Sequence, residues 1–413
     1  MLVPRSGAGL VAAVATLTTL VGCRDRRPAP TEPAPSVSPG SRADAAPVVD
    51  PAALALRARL HGRIVIAVAG EAAGAGDDHG HGDGGPDLLV VHLGPAPGRG
   101  PIERVHGDGV GLYPTDQRDG AGALLAIATW GPDQGHLEQL VVVGSGASAG
   151  ADPAAPAVLR RVGPVAEKLR HPQVGPDGHT VVFESSARSF RDLYRLDLTG
   201  PHDATPVRLT DSPHGNFEPA LAPDGSSLVF VSSRDGDSEV YARARPLAGG
   251  QAGTERRLTA FHRDDWGPRW SPDGKTLAFV SDREGTPRVF LMAPDGTGQR
   301  RLTRETEPEV IEESPRWSPD GAWIALTVQR GGAVEVHVVA SGGEPAPGPG
   351  LVTRVDLTPD GATDEAFAWS PDSAELVLAR EGRGLVVVPR GGGPGVTLRA
   401  GAIEAGPFWL AGP

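Results

Sequence analysis

The apolar residues of 61–413 fall in short runs separated by turn residues, and one arrangement of them recurs. A Pro, an apolar position and a small residue lead into Pro-Asp-Gly. An apolar triplet, an S-x-R loop, an alternating stretch and R-L-T then follow. The clearest copies begin EPALAPDGSSLVFVSSRDG, GPRWSPDGKTLAFVSDREG, PRWSPDGAWIALTVQRGG and FAWSPDSAELVLAREG. HPQVGPDGHTVVFESS, from His171, is an earlier copy, and GLYPTDQRDGAGALLAIATW, from Gly111, is a degenerate one. The turn acids Asp177, Asp224, Asp273, Asp320 and Asp372 stand 47, 49, 47 and 52 residues apart. Each unit predicts four strands, over 268–271, 277–280, 289–292 and 300–303 in the copy around Trp270. Four short antiparallel strands in a unit of about 50 residues make a propeller blade, so the fold class is all-β.

The ends of the repeat region predict how the ring closes. GPFWLAGP, from Gly406, aligns with GPRWSPDG, from Gly267, and places Trp409 with Trp270, Trp317 and Trp369. Stretches 63–69, 88–93 and 102–106 read as three strands lacking a first one. The last strand is therefore expected to complete the first blade, leaving no open sheet edge. Residues 61–413 spread over seven blades give about 50 each, matching the repeat, whereas a six-bladed alternative needs about 59.

Composition agrees with this reading. The 57 Gly and 41 Pro among 413 residues disfavour long helices and favour tight turns. Residues 1–22 carry one positive charge, Arg5, and an apolar run, the pattern of a secretory signal peptide. Leu20-Val21-Gly22-Cys23 resembles the bacterial lipobox, which implies lipidation of Cys23, the single cysteine of the chain. Residues 23–60, rich in Pro and Ala, read as a tether from membrane to domain, and 61–413 as the propeller. A formal net charge of −12 excludes nucleic acid as an expected partner and leaves membrane contact to the lipid. The expected address is the bacterial cell envelope, on the periplasmic face of the outer membrane, with the protein a monomer.

The W-S-P-D-G, L-A-F-V-S and R-L-T pieces resemble the TolB-type propeller repeat, over 171–405 well and over 61–170 poorly. TolB itself sets an α/β domain before its propeller, and residues 24–60 are too few for one. The resemblance therefore implies a TolB-like propeller without a full TolB, and a partner that does not simply carry over.

Features found in most blades read as scaffold. Trp270, Trp317, Trp369 and Trp409 are expected to pack blades together, and Arg234, Arg283, Arg330 and Arg380 to pair or order loops. Chemistry is expected in what does not repeat. Loops between blades and loops between second and third strands emerge on one face, and the former concentrate acids there. Asp264, Asp265, Glu309, Glu312 and Glu313 are the expected contacts to an envelope protein or peptide partner. The loop 70–87 carries His79, His81 and Asp83, a set able to hold a divalent metal, although its glycines equally suit a solvated insertion. No other cofactor is expected.

Enzyme readings have less support. Gly146-Ala147-Ser148-Ala149-Gly150 matches G-x-S-x-G without the strand-turn-helix context of a nucleophile elbow. Oligogalacturonate lyases also use a seven-bladed propeller and bind metal through histidines near the axis. A glycan- or metal-binding protein or enzyme of that kind is the alternative, but the inner positions Gln173, Ala220, Arg269, Arg316 and Ala368 offer no histidine cluster. The expected function is thus a non-enzymatic, partner-binding propeller scaffold.

Overall fold

A computed structural model of the chain describes residues 51–410, apart from 69–85, 94–101, 106–110, 120, 122, 130–136, 145–157, 167, 187–189, 202, 245, 248–253, 345–353 and 359–361. The leader, Cys23, the tether as far as residue 50, the G-x-S-x-G stretch and the loop with His79, His81 and Asp83 lie outside the described residues. Within 50–413, which form one compact unit, seven four-stranded antiparallel sheets make a seven-bladed propeller.

Blade 1 joins Ala405–Leu410 to Gly62–Val68, Asp87–Leu93 and Ile102–Val105. The other six run in chain order. Their first strands are Gly111–Arg118, Leu169–Val174, Asn216–Leu221, Asp265–Trp270, Ile311–Trp317 and Asp364–Trp369. Ring closure follows the expected register, with Trp409 opposite Ile64 and Phe408 opposite Val65.

Blade 5 shows where the pattern and the strands part. Its strands are Asp265–Trp270, Leu277–Ser281, Arg288–Met292 and Arg300–Arg301, so the first begins three residues before position 268. The strand passes through a bulge between Trp266 and Arg269, with Gly267 at φ 61°. A bulge breaks the two-residue alternation that marks a strand in sequence. The fourth strand ends early because Leu302 and Thr303 turn into the interior, where both are buried.

A sheet of this size cannot bury both faces alone, and the core lies between blades. Val229, Val240 and Leu258 of blade 4 cluster with Leu277, Phe279 and Phe290 of blade 5. Each repeated indole latches the same seam. Trp270 donates from Nε1 to the Ala220 carbonyl (3.1 Å), Trp317 to that of Arg269 (3.2 Å) and Trp369 to that of Arg316 (3.0 Å). Trp409 donates to the carbonyl of His61 (2.9 Å), beside the strand it closes.

The Pro-Asp-Gly turns lie at the far end of the first strands. Gly178, Gly225, Gly274 and Gly321 have φ between 69° and 74°, and Ser373 takes the same conformation at 64°. Asp273 accepts the Ser271 hydroxyl (2.7 Å) and the Lys275 amide (3.1 Å), bonds that hold its carboxyl below the usual range.

Within the stretch read as tether, Pro51–Arg59 form a helix. Leu56 and, just after it, Leu60 are buried with Val377, Val387 and Trp409, and Arg59 pairs with Glu375 (2.9 Å). The propeller unit thus recruits two leucines that composition alone assigns to a linker. No helix among the described residues is long and apolar enough to cross a membrane.

Closure predicts a measurable cost. Trp409→Ala, which removes an indole from the seam between first and last strands, should lower the urea-unfolding free energy by about 3–5 kcal/mol. A loss below about 1 kcal/mol would mean that the seam does not hold the ring.

Candidate functional site

The first strand of each blade lines the axis, and the bulge repeats there. His171 (φ 49°), Glu218 (53°), Gly267 (61°), Ser314 (53°) and Gly406 (91°) occupy it, each followed by Pro. This left-handed conformation suits glycine and costs a side chain about 1–2 kcal/mol. Gly267 and Gly406 show that the bulge needs no side chain. His171, Glu218 and Ser314 keep one at a strained position, the kind of outlier that collects at working sites.

Glu184 extends the cluster. Sequence reasoning missed it, although the signal is present: it stands where the equivalent triplets place Val231 and Val280. Its carboxylate is 1% exposed and is held by Arg191 (2.7 Å), His171 Nδ1 (3.3 Å) and the Glu218 amide (3.1 Å). Burial alone would raise its pKa, but the hydrogen bond and charge of His171, together with Arg191, bring it down to about 2. Glu184 is therefore an anchor with a fixed negative charge, unsuited to proton transfer near neutrality. Arg191 also lies over the Phe217 ring at 5.4 Å.

Further acids lie near this anchor. Glu218 accepts the Gly267 amide (2.7 Å) from the next blade. Glu313, on blade 6, is half-buried, and burial followed by the charge of Glu218 raises its pKa. The two residues stand on the first strands of blades 4 and 6, which line the axis. Asp282 follows the same rule, raised by burial and then by Asp264. Its Oδ1 is buried without a hydrogen-bond partner, and Arg263 approaches only to 3.7 Å.

The five expected partner contacts separate into two groups. Asp264 is half-buried and accepts the Ser238 amide (2.7 Å), Glu309 is exposed, and Glu313 faces the axis. Asp265 and Glu312 are corrected to scaffold, since both are 0% exposed. Arg283 holds Asp265 with two bonds of 3.1 Å, and the Thr303 hydroxyl donates to Glu312 at 2.7 Å. Their error has a physical reason. Loop acids look alike in sequence, but these two begin a first strand and point into the seam between blades. The same place is taken by Asn216, bonded by Arg234 (2.8 Å), and Asp364, bonded by Arg380 (2.7 and 2.9 Å). Arg330 instead reaches Glu305 (3.1 Å).

A different group of side chains, among the described residues, has the spacing of metal ligands. Glu335, His337 and Asp356 on blade 6 bring their ligand atoms within 4.8 Å of one another. The Arg354 Nε–H donates to His337 Nδ1 (2.7 Å), which leaves the ring proton on Nε2, directed at Glu335 (2.9 Å). A metal-bound imidazole requires the reverse, a free lone pair on one nitrogen and a donated proton on the other. Burial and then the Arg354 charge push the His337 pKa down, so the ring is a neutral link between ions. These residues do not fit a metal.

A cleft of about 400 Å³ opens at the opposite face, lined by Pro223, Trp270, Pro272 and Pro294 among others. Its walls include the repeated turn residues Asp224 and Asp273, so it is a product of blade geometry.

Residues 247–388 match the family model described as TolB beta propeller domain. That stretch carries the TolB-type β-propeller repeat. An uncharacterized protein of Agrobacterium fabrum (strain C58) is 33% identical over 76 residues, 18% of this chain and 24% of its own length. Puromycin hydrolase (S511A mutant) resembles this chain with TM-score 0.60 at 17% identity, over 83% of this chain and 53% of its own. Oligogalacturonate lyase in complex with manganese gives 0.53 at 12%, over 82% and 86%. At these identities the two structures share the propeller fold with this chain.

The division of the acids is testable. Asp265→Ala strands the buried Arg283 and should cost about 3–5 kcal/mol in urea unfolding. Glu309→Gln should change it by less than about 0.5 kcal/mol. Equal costs would erase the distinction between seam and rim.

Proposed function

We propose that this TolB-type propeller is a non-enzymatic binding scaffold of the bacterial envelope, receiving a basic protein or peptide at the acidic mouth of its channel. The observation that carries the reading is Glu313, a half-buried carboxylate whose pKa is raised by burial and then by the charge of Glu218. Acids at the seams are matched by arginine, as Asp265 and Asp364 are. The pKa values of Glu313 and Asp282 are instead raised by burial and then by a neighbouring carboxylate, an effect that a cationic partner relieves. Asp264, Asp282 and Glu309 extend this surface, and Glu184 with Arg191 fixes its floor. Partner contact at Asp265 and Glu312 is not part of the proposal.

The test uses fluorescein-labelled hexalysine and hexaglutamate peptides with the full chain. Hexalysine should bind, weaken as salt rises, and lose about fivefold in affinity to an Asp282→Asn/Glu313→Gln variant. Because the Glu313 pKa is raised, its charge is fully present above that value and is lost as pH falls through it. Affinity should therefore begin to drop above the ordinary glutamate range. Equal binding of hexaglutamate, or indifference to salt, would refute the assignment.

The anchoring is proposed on the lipobox resemblance of Leu20-Val21-Gly22-Cys23, with the periplasmic face of the outer membrane as the location. Cys23→Ala should move the protein from the membrane fraction to the soluble one. Continued sedimentation with membranes would count against lipidation.

A further inference from the structure

Deeper in the channel the charge changes sign. Arg269 and Arg316 take equivalent places on the first strands of blades 5 and 6, two residues beyond Gly267 and Ser314. At about 3.3 Å per residue, this sets them roughly 7 Å below the bulge level. Both are partly exposed. Arg316 feels the charge of Asp116, which belongs to blade 2 across the ring.

Neither guanidinium forms an ion pair with a described residue. The only hydrogen bond made by the Arg269 side chain among them is a long one, 3.3 Å, to the carbonyl of the adjacent Pro268. Arg316 lies over the Phe367 ring at 5.8 Å. Burial lowers the pKa of Arg316; Asp116 opposes that shift and the charge of Arg269 adds to it. Two like charges are thus held near each other in a partly desolvated space, in a chain whose net charge is −12. Arg234, Arg283 and Arg380, by contrast, each meet an acid or amide of the seam. On either side of the pair, blades 4 and 7 carry the buried Ala220 and Ala368 at the equivalent positions, so no neighbouring inner strand supplies an acid there. Unpartnered arginines gain most from a planar oxyanion that accepts two N–H bonds at once.

We propose that Arg269 and Arg316 form a carboxylate-binding site within the channel. The carboxylate belongs either to a peptide C-terminus or to a free small acid. The site goes beyond the reading of the mouth and does not depend on it, since it concerns the opposite charge and other residues. Its two arginines are specificity determinants, and the scaffold does not need them.

The experiment follows the thermal midpoint of the full chain with four organic probes and inorganic phosphate. The organic probes are acetyl-Ala-Ala-Ala as free acid and as amide, D-glucuronate, and neutral D-glucose. A carboxylate probe at ten times its Kd should raise Tm by about 2 °C, and the amide and glucose should not. A shift with the peptide acid alone assigns the site to a chain terminus, and a shift with glucuronate assigns it to small acids. The Arg269→Met/Arg316→Met variant should lose that shift, while its unliganded Tm stays at or above that of the parent. Several outcomes would overturn the site: no shift with either acid, a shift with phosphate only, or a shift retained by the variant. A fall in the variant's unliganded Tm would also overturn it, because the arginines would then be structural. None of these results touches hexalysine binding at the mouth, so the two readings fail separately.

Discussion

Every feature of this molecule depends on the pairing of Ala405–Leu410 with Gly62–Val68. A four-stranded blade buries its faces only against its neighbours, so an open row of seven would leave two apolar faces and two strand edges in water. Pairing the last strand with the first blade removes both. It also fixes the axial channel, because the first strands can face one another only when the row is a ring. The helix Pro51–Arg59 adds Leu56 at the same seam, beside Trp409 and Val387, where the two ends of the ring meet.

The ring then sorts charge by depth. At the seams, carboxylates such as Asp265 and Asp364 are buried with arginine and carry no information for a partner. Their removal costs stability, because a buried ion without its counterion cannot be solvated. At the mouth, Glu218 and Glu313 reinforce each other's field. Further in, Arg269 and Arg316 do the same with the opposite sign. A ligand of the proposed kind would meet two fields in sequence, and the short distance between them would favour groups that carry both charges.

The sequence made the architecture legible because turn chemistry and hydrophobic runs act locally. Asp177 to Asp372 mark the turns, the triplets mark the second strands, and Trp409 reveals closure by matching Trp270. Register within the first strands was less legible. The bulge at Gly267 or Glu218 breaks alternation, and its cause is the geometry of seven strands around an axis. The channel site was legible only in part. Arg269 and Arg316 were visible as inner positions, yet nothing local distinguishes a guanidinium at the axis from one at a seam. Asp265 and Glu312 were misplaced for the same reason, and Glu184 escaped notice inside an apolar triplet. The expectation for His79, His81 and Asp83 concerns residues outside those described.

The bulge gives each blade one position whose backbone is dictated by the fold and whose side chain is not. Gly267 leaves that position blank, Ser314 fills it with a hydroxyl, His171 with an imidazole and Glu218 with a carboxylate. Only Glu218 uses its side chain to reach the next blade, at the Gly267 amide, so the other positions can be rewritten one blade at a time while the ring stays the same. A propeller built from near-identical units thereby acquires an asymmetric inscription around its opening, and descendants of this chain could change allegiance without relearning how to fold.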